Sequence, residues 1–593
     1  MASTGTAPTI PTEFQQYNSY VTDPKWQRKF SIIWASFAAA AFVLSLPHFL
    51  RALRRKQLFR GFFGVSEDLR GKRYTYIASN EKEPSHGRRT YYAVAETIQG
   101  LFWWDFPYVG LSLGQALLVA GYLACAITCM TLHVPLITNP NRAGFLALAQ
   151  FPVVFLFATK NSVLSLLLGP GNGYERLNFL HRWAGRGMLI GGLLHGALWI
   201  RNHLVYDIPI IGQQKETSGV AALGVLCILA LTSLRLVRRY LYEFFFITHV
   251  LGYVAFTITI CYHTTYAYTW IYAPLAFYGL DMFLRLLRYR IKDATLVPVD
   301  GGMTLIHVHD CVEGWQPGQH VRLRVFFSGR FFESHPLTII NAPSSLSCAQ
   351  TPTLALSARV RGDWTRALNR YAMKERDRLG KSEKDGQPGV AVQVMLDGPY
   401  GGCGVDLGRY ECAFLIAGGS GASFTLSLLD DIVARCVKLG RSGGEKTTRV
   451  EFVWYIPSTE CAEWFYLMLT EIVEVTDGTS LDLHISIFIT RPCKLETSVT
   501  IPKADITVSR PSVGSLMRDF LYNANNAKDI EDVSASSHSQ AESGSIGSGG
   551  GVAICAAGPD SLMVETRNAA AMLSVSRGIA LGWIGLHTES FAL

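Results

Sequence analysis

Seven apolar stretches fill the first half of this chain, near residues 30–50, 107–131, 143–168, 179–200, 218–234, 244–262 and 270–287. Each is about long enough to cross the ~30 Å of hydrocarbon in a bilayer; that near 218–234 is short, and Lys160 interrupts the third. Hydrocarbon offers backbone amides no partner, so runs of this length must satisfy themselves as helices. Beyond about residue 292 the sequence reads as ordinary α/β protein. The spacing predicts a tail over 1–29, a polytopic helical membrane domain of about seven spans over 30–291, and a soluble half. A mean hydropathy of +0.20 with 17% charged residues agrees.

Basic residues set the expected orientation. Arg51, Arg54, Arg55, Lys56 and Arg60 follow the first stretch, Arg235, Arg238 and Arg239 the fifth, and Arg285, Arg288, Arg290 and Lys292 the seventh. The alternate loops 132–142, 201–217 and 263–269 carry few or none. By the positive-inside rule the N-terminus lies outside and the soluble half in the cytosol; Lys25, Arg28 and Lys29 oppose this but are outnumbered. The net charge of +8 is then accounted for without a nucleic-acid partner. No small-residue cleavage site follows the first stretch, which reads as an uncleaved anchor. The 12 cysteines form no CxxC pair and read as free thiols.

Within the apolar half, His181 and His195 fall on the fourth stretch and His249 and His263 on the sixth, each pair fourteen residues apart. Fourteen residues return to within roughly 40° of the starting direction and rise ~21 Å, so each pair shares a helix face. Under the topology above both helices run from inside to outside. His181 then meets His249 at the inner level and His195 meets His263 at the outer level. Ionisable groups in a span are costly and usually functional. Facing imidazoles on a bundle suit two irons in haems, each held axially by two histidines. With both axial positions filled, such haems only pass electrons.

Short alternating runs over 302–360 and 390–397 predict an antiparallel barrel. From 412, strand, glycine turn and helix alternate as in a parallel sheet with crossovers. The boundaries fall at 292–405 and 406–593, with a Ser/Gly-rich disordered insertion over 526–551 and a charged surface insertion over 374–389. "VRGDWTRAL" (360–368) is a short turn entering a helix, which suits a phosphate. "LIAGGSGASFTLSLL" places Gly418, Gly419 and Gly421 between strand and helix, where backbone can approach a pyrophosphate. Together these suggest a flavin, which converts a nicotinamide's hydride into the single electrons that a haem accepts.

These residues resemble the fungal ferric reductases, within the superfamily that also holds the superoxide-producing NADPH oxidases. The resemblance rests on "ATKNSVLSLLLG…YERLNFLHRWAGR" (158–186), the paired histidines, "HPLTI" (335–339), "DGPYGG" (397–402) and "GGSG" (418–421), in the family's order. It implies a ferredoxin-NADP-reductase-like soluble half binding FAD and NADPH, and two haems b ligated by His181, His249, His195 and His263. It assigns His335, Pro336, Leu337 and Thr338 to FAD, with Thr338 near the flavin ring, and Arg361, Gly362 and Thr365 to the FAD pyrophosphate. Gly418, Gly419 and Gly421 match the NADPH pyrophosphate loop, and Phe591 the aromatic that covers the flavin where nicotinamide enters. There are departures. Leu337 replaces a commoner aromatic, and no tryptophan follows Phe591. Cys555 lies in "CAAGP" rather than directly before Gly-Pro. No arginine follows "VEFVWY", which leaves Arg491 to read the 2′-phosphate.

The expected activity is transmembrane reduction of ferric or cupric chelates outside by cytosolic NADPH, in the plasma membrane, alongside iron or copper uptake transporters. Asp207 and Glu216 are the acidic candidates for bare iron. Two other readings are an oxidase making superoxide with the same wiring, and a transporter with a cytosolic nucleotide-binding regulatory domain.

Overall fold

A computed structural model describes residues 17–54, 61–67, 94–95, 97–106, 110–169, 171–349, 353–380, 389–491, 501–521 and 550–591. The Ser/Gly-rich insertion lies outside them save Gly550 and Gly551, and so does the charged insertion beyond Gly380, up to residue 388. The chain forms two units: 1–47, 117–168 and 174–283, and the remainder.

The first unit is helical: α1 (Ser19–Arg54), α2 (Leu113–Thr131), α3 (Asn141–Ala149), α4 (Phe151–Leu156), α5 (Val163–Leu168), α6 (Tyr174–Val205), α7 (Gln214–Thr232), α8 (Arg235–Tyr240), α9 (Tyr242–His263) and α10 (Tyr268–Arg288). Among the described residues α1, α2, α7 and α9 are apolar and long enough to cross a membrane. The third apolar stretch is a broken crossing. Pro152 has no N–H to continue the ladder of α3, and the Gln150 side chain covers the break by donating to the Leu146 carbonyl (3.3 Å) and accepting from the Tyr122 hydroxyl (3.1 Å).

Structural elements cross two of the expected boundaries. The tail over 1–29 is helical from Ser19, because Asp23, fully buried, pairs with the equally buried Arg142 of α3, and Gln27 donates to the Phe145 carbonyl (2.9 Å). The block 30–291 is not one unit, since 48–116, 169–173 and 284–291 belong to the soluble one. Asp105 pairs there with Arg567 and its amide donates to Asn568 Oδ1 (2.7 Å), while Ser66 bridges to Glu313.

The second unit holds two sheets. β1 (Arg290–Asp300), β2 (Met303–Val308), β3 (Gln319–Val325), β4 (His335–Thr338), β5 (Leu354–Arg359) and β6 (Val390–Gly401) form an antiparallel sheet in the order 4-3-6-1-2-5. An Ile339–Leu356 bridge brings its edges together as a near-barrel. Alternate residues fill the interior, Val321, Leu323, Val325, Val394 and Leu396 among them, and α11 (Asp363–Gly380) packs Trp364, Leu368 and Ala372 against it at helical spacing.

β7 (Cys412–Gly418), α12 (Ala422–Val433), β8 (Arg449–Ile456), α13 (Tyr466–Thr476), β9 (Asp482–Ile489), β10 (Ala504–Val508), β11 (Val552–Gly558), α14 (Asp560–Leu581) and β12 (Ile584–Ser590) make the parallel sheet, in the order 10-9-8-7-11-12. All five pairings are parallel. Continuous Val/Ile/Phe/Leu runs fit strands covered on both faces. The fully buried Asp430 of α12 joins the two domains, accepting from the Ala342 amide (2.8 Å), the Cys348 amide (2.6 Å) and the Ser347 hydroxyl (2.7 Å).

Candidate functional site

Parallel placement of α6 and α9 brings the four histidines together as two pairs. The rings of His181 and His249 lie 6.1 Å apart, centroid to centroid, with their planes 69° apart; those of His195 and His263 lie 6.0 Å apart at 70°. A metal–imidazole bond is about 2.0 Å and the ring nitrogen lies about 1.2 Å from its centroid, so two rings on one iron would sit about 6.4 Å apart. Both observed spacings match.

Each Nδ1 is already engaged. That of His181 meets the Val154 carbonyl (2.9 Å), that of His195 the Pro140 carbonyl (3.0 Å) and that of His263 the Lys215 carbonyl (2.8 Å). A carbonyl only accepts, so in these three rings Nδ1 carries the proton and Nε2 keeps its lone pair. His249 Nδ1 meets Ser233 Oγ (3.2 Å), whose own proton goes to the Leu229 carbonyl (2.6 Å), so it too donates. Outer-shell bonds of this kind fix the tautomer that ligates iron. The residues fit a haem at each level.

Sequence reasoning missed the supports of these rings. A Cβ on Gly144 would lie 2.9 Å from His195 Nδ1, and one on Gly219 2.7 Å from the His263 ring. Met188 and Phe256, each seven residues from both histidines of its helix, are buried and fill the space between the levels. Of the glycines between His181 and His195, Gly187 and Gly191 serve helix packing, facing Gln150 and Ala143; Gly192 faces Leu226, and Gly185 has open space. Two of the ring partners come from this stretch, Pro140 at the start of α3 and Val154 in α4.

On β4 the side chains alternate. Leu337 points into the barrel interior opposite Val321, which explains why an aromatic is dispensable there. His335 stacks on Trp364 (4.2 Å, 26°), and its Nε2 is buried with no hydrogen-bond partner; Glu333 Oε2 is 3.7 Å away. Pro336 and Thr338 point to the opposite face, where Thr338 aligns with His320 and His320 with Tyr400. Tyr400 donates its hydroxyl to Asp397, and burial together with that carboxylate pushes the phenol up. The polar strip along β3, β4 and β6 fits a flavin.

The order of the parallel sheet reverses between β7 and β11, and a crevice at such a switch point is where nucleotides bind. There Gly418 and Gly421 are obligatory: a Cβ on Gly418 would meet Pro559 at 2.7 Å, and one on Gly421 the Ala557 carbonyl at 2.2 Å. Gly419 has φ +57°, and its carbonyl accepts from Trp454 Nε1 (2.9 Å). Phe591 stands at the same edge, its amide bonded to the Gly558 carbonyl (2.8 Å).

Arg359, which the sequence did not flag, reaches over this loop. Its Nη1 lies 2.8 Å from where a Gly419 Cβ would be, and its guanidinium sits 5.3 Å from the centre of the Trp464 ring. Burial, then the charges of Arg361 and Arg491, lower its pKa, so three cations converge beside the glycine turn. The Thr365 hydroxyl accepts from the amides of Arg361 (2.9 Å) and Gly362 (3.1 Å), so it shapes this turn and occupies its amides. Cys555 points elsewhere: fully buried, its Sγ is 3.6 Å from that of Cys403. Among the described residues no three His, Cys, Asp or Glu side chains gather as a bare-ion site, and Asp207 and Glu216 form no such cluster.

Comparison with known proteins follows this geometry. Residues 143–260 match the family model for a ferric reductase like transmembrane component, 288–403 that for an FAD-binding domain, and 410–571 that for a ferric reductase NAD binding domain. Ferric reductase transmembrane component 1 of Schizosaccharomyces pombe is 25% identical over 64% of this chain and 72% of its own. The probable cell surface ferric reductase kap2 of Aspergillus oryzae is 30% identical over 55% of this chain, and ferric reductase transmembrane component 3 of Saccharomyces cerevisiae 27% over 51%. The chain spans less than half the length of these last two, 44% and 40%. A ferredoxin NADP+ reductase from Neisseria gonorrhoeae with bound FAD and NADP overlaps 51% of the chain and 98% of its own at 13% identity, with a TM-score of 0.30. That score is low, and the architecture of the soluble half rests on the strand pairing above.

Proposed function

The chain belongs to the ferric reductase family, and from that premise we propose that it carries electrons from cytosolic NADPH across the membrane to a ferric or cupric chelate outside. When bound, FAD takes both electrons of a hydride and the haems relay them singly. The chain's own residues do the rest. Gly418, Gly419 and Gly421 admit the dinucleotide's pyrophosphate, Arg359 and Arg491 neutralise its phosphates, Arg361 serves the FAD pyrophosphate, and Phe591 guards the approach to the flavin. Pro336 and Thr338 present the flavin face, and His335 offers its free Nε2. His181 with His249, and His195 with His263, hold one iron each.

The two equal ring spacings with all four Nδ1 atoms engaged carry this reading. Orientation is supported by the basic residues Arg51 and Arg54 after the first apolar stretch, Arg235, Arg238 and Arg239 after the fifth, and Arg285, Arg288, Arg290 and Lys292 after the seventh. The inner pair then lies toward NADPH and the outer pair toward the substrate. The N-terminus faces outward, and the plasma membrane is the location. The partners are the bilayer, the chelate and metal-uptake transporters.

Ferric EDTA reduction by intact cells, followed with a ferrous-specific dye, tests the function. It is expected to require NADPH and to vanish in His195→Ala, whose purified protein loses about half its Soret absorbance. Full activity in that variant overturns the proposal. Superoxide instead of ferrous product would favour the oxidase, and absence of any Soret band the transporter.

A further inference from the structure

Cys403 and Cys555 meet where the two soluble domains adjoin. They are 152 positions apart in sequence, on the loop after β6 of the flavin domain and in the middle of β11 of the nucleotide domain, yet their sulfurs lie 3.6 Å from each other. Cys555 is fully buried, and Cys403 is partly buried. Cys403 Sγ is held by the Val405 backbone, accepting from its amide (3.4 Å) and donating to its carbonyl (3.3 Å). Beside them the buried His587 is held by three contacts. Its Nδ1 accepts from the Gly404 amide (3.3 Å), its Nε2 faces Glu589 (3.0 Å), and its ring stacks on Phe424 (5.3 Å, 12°). Burial pushes the Cys403 thiol up, but the bond from Cys555, helped by the Val405 backbone, brings it down to about 7; the same bond, with burial, holds Cys555 well above the usual thiol range. One partner is the nucleophile and the other its proton-bearing neighbour, the arrangement expected of a reactive cysteine with a resolving one.

We propose that Cys403 and Cys555 form a peroxide-sensitive thiol pair that closes to a reversible disulfide tying the flavin domain to the nucleotide domain. The Cys403 thiolate attacks hydrogen peroxide, the O–O bond breaks, and with one proton taken up Cys403 becomes a sulfenic acid and a water leaves. Cys555 sulfur then displaces the hydroxyl of that sulfenic acid, and its own proton leaves with the hydroxyl as a second water. Two thiols have lost two electrons to the peroxide, and cytosolic thiols restore them by exchange. Closure from 3.6 Å to a bond of about 2.05 Å needs a shift of about 1.5 Å. The loop supplies it: Gly401, Gly402 and Gly404 flank Cys403, and Gly401 (φ +69°) and Gly402 (φ +110°) occupy conformations that other residues avoid. Because the bond spans so long a segment, it removes much freedom from the unfolded chain.

The full chain in detergent, treated with graded hydrogen peroxide, alkylated and mapped without reductant, tests this. The expected product is a peptide pair joining Cys403 to Cys555, lighter by two hydrogens and released by dithiothreitol. The unfolding midpoint should rise by several degrees in the wild type and stay unchanged in Cys403→Ser. A Cys403 carried on to sulfinic acid without the cross-link overturns the proposal. So does a pair that remains open to alkylation when exposed thiols are already oxidised.

Discussion

Gly144 and Gly219 matter because of what they lack. Each stands against an outer histidine ring at a distance no real Cβ adopts, so a methyl group there must turn the imidazole or part the helices. Gly144→Ala and Gly219→Ala are expected to lower haem content from two toward one per chain while the inner pair stays loaded; a haem-to-protein ratio from pyridine hemochrome spectra checks this. Arg359 acts by presence. Its guanidinium, half-buried and braced on Trp464, faces the glycine turn, and a charge-assisted hydrogen bond contributes about 1.5–3 kcal/mol. Arg359→Ala should therefore raise the NADPH KM about tenfold to a hundredfold with little change in kcat, and Arg359→Lys should recover part of the loss. Steady-state kinetics with ferricyanide as acceptor reads both. The histidine intervals were legible in the sequence because helical periodicity turns a spacing directly into a shared face. Gly144, Gly219 and Arg359 were not legible, because each earns its role from a residue far away in the chain.

At the level of elements, β4 and the β8–β9–β10 edge show how strand geometry sorts function from packing. Alternation on β4 splits one recognised stretch, with Leu337 given to the core and Thr338 to the cofactor face. The parallel sheet and the glycine loop were legible from strand–turn–helix alternation. The broken third crossing was not, since hydropathy registers Pro152 only weakly while the backbone ladder cannot ignore it. On the nucleotide sheet, His484 Nδ1 meets Glu451 (2.9 Å), its Nε2 meets Asp505 (3.0 Å), and Ser486 donates to Glu451 (2.7 Å). The bond to Glu451 leads in raising the histidine to about 9. A histidine raised in the folded state binds its proton more tightly there than when unfolded, near 6.5. Its contribution is complete below about pH 6.5 and disappears as the pH rises through about 9. Thermal unfolding of the full chain should show a midpoint that falls across that window, with a shallower fall in His484→Gln. An identical slope in the two proteins would contradict the assignment.

For the molecule as a whole, the division between an apolar half and a soluble half is the feature the sequence showed most plainly, because lipid and water demand opposite compositions. What composition did not show is that the chain interleaves the two: residues 48–116 and 169–173, lying between membrane helices, belong with the soluble unit through Asp105–Arg567 and Ser66–Glu313. In the proposed topology His181 and His249 stand at the inner level and His195 and His263 about 21 Å further along their helices, so electrons would enter at one face and leave at the other. Sealed vesicles carrying the purified protein test that vectorial step. When NADPH is added outside to molecules whose soluble half faces outward, ferric EDTA enclosed in the lumen should be reduced, whereas ferric EDTA supplied only outside should be reduced far more slowly. The difference should collapse when detergent opens the vesicles. Equal rates for the two placements in sealed vesicles would mean that electrons leave directly from the soluble half, and the four histidines would then need a different purpose.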